Sequence, residues 1–130
     1  YSYTGSLDET VSELGSVTST SYSDFVLLAT VSNVAVNDVF RLYYSFHYTC
    51  SGVSTIKLAI GPSRLLAFGA FGVTRLVTDK ESMTLIGFGD VTAPMLSGSD
   101  LQIWVQGKTY AGGNVTIWSP HSLVAEVGKP

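Results

Sequence analysis

From Asp38 to Thr49 the chain alternates strictly. Phe40, Leu42, Tyr44, Phe46 and Tyr48 hold the even positions, and Val39, Arg41, Tyr43, Ser45 and His47 the odd ones. Successive side chains of a strand point to opposite faces, so the first set makes an apolar face and the second a mixed one. A helix would scatter both sets around its axis; the segment is therefore predicted as a half-buried strand. Tyr22–Val31 reads as an apolar strand ending at Ser32-Asn33, and Ser54–Ile60 as one stopping at Gly61-Pro62.

The same reading predicts strands at Arg64–Phe68, Phe71–Thr78, Ser82–Phe88, Leu101–Gln106, Val115–Ser119 and His121–Val127. Gly, Pro, Asn or Asp separates them, as turn chemistry requires. With Val11–Thr18 the chain carries about 8–10 short strands spaced by roughly 8–12 residues, and no helix of ordinary length fits between them. The predicted fold is all-β: an antiparallel two-sheet β-sandwich of jelly-roll type. Residues 17–130 form the sandwich. For residues 1–16 two readings stand. Leu7, Val11 and Leu14 in LDETVSELG sit at helical spacing, as in the end of a stalk, whereas Val11–Thr18 reads equally as a first strand. The chain opens on Tyr1 rather than Met, so a processed product or a fragment of a longer chain is expected.

Composition changes the picture in one respect. Of the 130 residues, 45% are hydrophobic and 13% charged, against about 25% charged in an ordinary soluble domain. Much of the surface is then neutral, and either a second subunit covers part of it or a Ser/Thr coat keeps it soluble alone. The net charge of −3 and seven scattered Lys and Arg residues give no basic stripe, so no nucleic-acid partner is expected. No apolar run is long enough to span a membrane as a helix, and no membrane insertion is expected.

Catalytic and metal-binding patterns are missing. There is no GxSxG, HExxH, CxxC, P-loop or EF-hand sequence. His47 and Cys50 are three apart in a predicted strand, which puts them on opposite faces. Asp24, Asp38, Asp79, Asp90 and Asp100 mostly border strands, where Asp accepts backbone hydrogen bonds in turns. No enzyme activity, cofactor or metal is expected.

Both tryptophans lie in Leu101–Ser119. Leu101, Ile103 and Val105 define one face, as do Val115 and Ile117, so Trp104 and Trp118 point away from the core. Were the two strands a hairpin, one allowed register would set the indoles side by side, with Lys108–Asn114 as an exposed loop carrying Tyr110. Such aromatics suit a sugar or protein contact; the other reading packs them against a loop or a neighbouring subunit. Trp104, Trp118 and Tyr110, with Tyr43 and His47 from the mixed face of the aromatic strand, are the candidate receptor or subunit contacts.

Three stretches carry a resemblance: TSTSYSDFVLLATV (Thr18–Val31), DVFRLYYSFHYT (Asp38–Thr49) and GSDLQIWVQGKTYAGGNVTIW (Gly98–Trp118). In their texture the chain resembles the C-terminal head domains of viral and phage attachment fibres. That resemblance implies a compact jelly-roll head, a homotrimer on a stalk, and a place on the virion surface binding a cell-surface glycan or protein receptor. Tumour-necrosis-factor-like and C1q-like trimers and capsid jelly rolls are similar in texture. The other functional readings are a carbohydrate-binding module of a secreted multidomain protein and a structural capsid or decoration protein.

Overall fold

A computed structural model of the chain describes residues 2–8, 13–64, 66–73, 75–110 and 112–130, with the backbone alone for 2–8 and 66–71. Its strands are β1 (Ser2–Asp8), β2 (Glu13–Val17), β3 (Ser23–Val31), β4 (Val39–Cys50), β5 (Ser54–Ile60), β6 (Leu66–Val73), β7 (Val77–Asp90), β8 (Leu96–Ser97), β9 (Asp100–Thr109) and β10 (Val115–Gly128). A single 3₁₀ turn, Ala93–Met95, interrupts them among the described residues.

Two antiparallel sheets pack face to face. One runs β1–β10–β4–β7, with β2 pairing the other half of β10 on the edge that β1 occupies. The second runs β3–β9–β5–β6, with β8 beside β9. These are called the β4 sheet and the β9 sheet below. Apart from the β5–β6 hairpin, the chain from β2 to β7 changes sheet at every connection, and it crosses again between β9 and β10. With β1 and β2 sharing one edge, this is the order of a jelly roll built from two Greek keys. The predicted all-β sandwich is the observed fold.

The core sits between the sheets where alternation placed it. Phe40, Leu42, Tyr44, Phe46 and Tyr48 of β4 are buried against Ile56, Leu58 and Ile60 of β5 and Leu101, Ile103 and Val105 of β9. Each such side chain contributes about 1.5–3 kcal/mol by leaving water. The Tyr44 and Phe46 rings stack at 5.1 Å. No buried side-chain polar atom among the described residues lacks a partner. Asp38, for one, accepts the Ala35 backbone N–H at 2.9 Å and closes the turn before β4.

Four local expectations are refined or corrected, the first being the predicted Tyr22–Val31 strand, which forms as β3. On β3, burial repeats every third residue, at Phe25, Leu28 and Val31. The register against β9 shifts between Asp24 and Val26 and again between Leu27 and Ala29. Each bulge adds a residue and resets the alternation, which is why this strand looked uniformly apolar. The second correction concerns β10, a single strand through Pro120 rather than two. Its register on β4 shifts between Trp118 and Ser122, and a bulge tolerates a residue without an N–H. Third, β6 spans residues predicted as the end of one strand and the start of another, and Val77 already belongs to β7. Of the LDETVSELG segment, Leu7 and Asp8 close β1 and Glu13, Leu14 and Gly15 open β2; residues 9–12 lie outside the described residues. The fourth correction, the tryptophan hairpin, bears on the site.

Candidate functional site

β9 and β10 belong to different sheets, so the register that would set Trp104 against Trp118 does not form. Across Lys108–Asn114 the chain passes from one sheet to the other instead of turning back on itself. The outward parity of both indoles holds, but they emerge on opposite outer faces of the sandwich.

On the outer face of the β9 sheet, Trp104 is half-buried beneath a cation. The Arg64 guanidinium carbon lies 3.6 Å from the centre of the Trp104 ring system. Asp24 fixes it there, accepting from Arg64 Nε at 3.2 Å and from Nη2 at 2.7 Å, while Nη1 donates to the Pro62 carbonyl at 2.6 Å. Gln106 Nε2 donates to the same carboxylate at 2.8 Å. The Arg64 hydrogen bonds hold the Asp24 carboxyl below its ordinary pKa, with Gln106 assisting against the opposing effect of burial. Trp104 is thus roofed by a paired guanidinium rather than left open as a stacking platform.

Further along the same face, Lys57 of β5 and Lys108 of β9 converge on Tyr22, their ammonium nitrogens 3.7 and 4.7 Å from its ring centre. Register explains the convergence: Lys57 is opposite Gln106, and Lys108 is opposite Thr55. Tyr110, just past β9, is 47% exposed, and its ring lies 5.6 Å from the Lys108 ammonium. Burial, helped by the neighbouring Lys108 charge, pulls the Lys57 pKa below its ordinary value.

The outer face of the β4 sheet carries Tyr43, His47 and Trp118. His47 and Trp118 are direct cross-strand partners. Trp118 donates through Nε1 to Thr49 Oγ1 at 2.9 Å, and the Lys80 ammonium sits 4.3 Å from its ring. His47 Nδ1 lies 3.0 Å from the Pro120 carbonyl oxygen. As predicted, Cys50 turns inward from the same strand and is buried. His121 is buried in β10, with Nδ1 2.7 Å from the Tyr44 hydroxyl.

At the β7 edge of this sheet lies an apolar patch of which Tyr43, but neither Ile86 nor Phe88, is a candidate from sequence. Phe88 is 73% exposed, Ile86 53% and Tyr43 36%. Tyr43 pairs Ile86, and Arg41 pairs Phe88. They border an open depression of about 540 Å³ that also takes in Val39 and Asp90. The signal was present in IGFG (Ile86–Gly89). Gly87 and Gly89 take the inward positions, and a Cβ at Gly89 would come 3.2 Å from Phe40 Cζ. Gly89 makes room for the Phe40 ring, and with glycines at both inward positions alternation turns the two large residues out.

The candidate residues therefore divide. Trp118, His47 and Tyr43 share one outer face, and Trp104 and Tyr110 the other. No group of three His, Cys, Asp or Glu side chains suited to a metal ion occurs among the described residues. No helix there is long and apolar enough to cross a membrane. No protein-family model and no curated protein matches the sequence.

Proposed function

We propose that this chain is a non-enzymatic virion-surface domain, a fibre or spike head that assembles as a homotrimer and attaches to a host-cell receptor. The observation that carries the proposal is the Phe88–Ile86–Tyr43 patch. Phe88, almost three-quarters exposed, stands at a sheet edge of a chain with half the usual charge density. An aromatic left in water on such an edge is better accounted for by a covering subunit than by monomeric solubility. Three copies related by a three-fold axis would each offer this patch to a different surface of the next, a heterologous contact that closes into a ring. The β9-sheet face is then left outward for the receptor.

Sedimentation velocity on the full chain at micromolar concentration tests the assembly. A species of three times the 13.9 kDa chain mass is expected, and Phe88→Ser should weaken association by at least about tenfold, the loss of one well-packed aromatic anchor. A parent chain that stays monomeric at that concentration would refute the trimer. Attachment is read separately, from binding of fluorescently labelled chain to host cells.

A further inference from the structure

Lys57 and Lys108 are two half-buried cations that converge on one ring, that of Tyr22. Arg64 and Asp24 satisfy one another on the same face, and Arg75 is paired with Glu81. Lys57 and Lys108 have no carboxylate within ion-pair distance among the described residues, yet both are half-buried. Both ammonium groups also lie within 4.7 Å of one ring centre. A chain of net charge −3 thus holds two like charges together, partly out of water, at a point where each repels the other. The ring quadrupole offsets part of that cost; an anion between the two nitrogens would offset more, because charge-assisted hydrogen bonds are the strong ones.

The surroundings narrow the kind of anion. Thr55 stands opposite Lys108 and carries a hydroxyl, whereas Gln106, opposite Lys57, is already engaged by Asp24. Beyond Lys108 the half-exposed Tyr110 ring supplies an apolar face with a polar tip. Cation, hydroxyl and exposed aromatic in one row match a sugar ring that bears an acidic group. Two free cations are too few to follow a nucleic-acid backbone.

We propose that the outer face of the β9 sheet binds an acidic saccharide, its anionic group held between Lys57 and Lys108 and its ring against Tyr110. This rests on the attachment reading only in taking the ligand for a cell-surface glycan. It locates the receptor contact away from the Phe88 patch, so binding and assembly separate by mutation.

The test is calorimetric titration of the full chain with sialyllactose, with lactose as the uncharged comparison. Sialyllactose should bind, and lactose should bind at least about tenfold more weakly, the worth of one charge-assisted contact. Lys57→Gln and Lys108→Gln should each cost a similar factor, Lys57→Arg should retain most of the affinity, and sedimentation of all three variants should match the parent. Affinity should fall as salt rises. The inference is overturned if sialyllactose does not bind, if lactose binds as well, or if both Gln variants bind like the parent. It is overturned too if inorganic sulfate competes as tightly as the sugar, which would mark a plain anion site. None of these results touches the trimer, which sedimentation decides, and cell binding that persists without sialyllactose affinity would leave the attachment reading standing on another ligand.

Discussion

Replacing Tyr44 with Phe probes a buried polar contact between β4 and β10. The Tyr44 side chain is fully buried between the sheets, its hydroxyl 2.7 Å from His121 Nδ1 and its ring edge-on to the imidazole at 5.6 Å. Tyr44→Phe keeps the ring stack and removes the hydroxyl, leaving a buried imidazole nitrogen without its phenol. A lost buried partner of this kind costs about 1–3 kcal/mol. Burial also pushes the Tyr44 phenol pKa well above its ordinary value, and this gives the prediction a second arm. In the unfolded chain the phenol ionises near pH 10, roughly the free value, whereas in the folded chain it stays protonated well beyond that. Because the folded pKa is raised, the associated stability is whole below about pH 10 and is lost as pH climbs, at about 1.4 kcal/mol per pH unit. Tyr44→Phe has no such loss. Urea unfolding followed by fluorescence should show the variant less stable by about 1–3 kcal/mol at pH 7, and the gap should narrow by about 1 kcal/mol between pH 10 and pH 11, where the unfolded phenol passes from half to almost fully ionised. A gap below about 0.3 kcal/mol at pH 7, too small for a buried hydrogen bond, would refute the pairing. A gap constant from pH 8 to pH 11 would refute the buried, protonated phenol.

Two further outcomes test local packing. Gly107→Ala should destabilise the fold by about 1–3 kcal/mol, the cost of overpacking, because a Cβ there would fall 2.7 Å from Phe25 Cζ and 3.2 Å from the Thr55 carbonyl oxygen; an unchanged urea midpoint would mean that Phe25 does not lie over residue 107. In a Trp118→Phe background, Arg64→Ala should red-shift Trp104 emission and raise its acrylamide quenching while altering stability by no more than about 1 kcal/mol, as befits an exposed pair. With Arg64 present the same shift should appear only in acid. The Asp24 carboxyl is held below its ordinary pKa, so its hold on Arg64 is present above about pH 4 and is lost as pH falls through the depressed value. Emission that ignores both the substitution and acid would mean that no guanidinium covers the ring.

What the sequence determined by itself was the content of each strand. In β4 the even residues had to share a face because backbone pleating has a period of two, and all five are core. The same rule turned Trp104 and Trp118 outward, put His47 and Cys50 on opposite faces of β4, and assigned Leu101, Ile103 and Val105 to the interior. It does not extend to β3, where two register shifts against β9 convert the period from two to three. It also failed at Pro120, where the missing N–H looked like a strand end but falls in a bulge that needs no donor there. Only the tertiary structure decided which strands lie side by side. Jelly-roll wrapping sends β9 and β10 to different sheets, which separates the indoles that a hairpin would have joined. The same wrapping brings Tyr22, Lys57 and Lys108 from three strand neighbourhoods to one point and roofs Trp104 with an arginine forty residues away. It also leaves Phe88 uncovered at an edge. Local alternation says which way a side chain points, and the loops that carry the chain between sheets decide what it meets there.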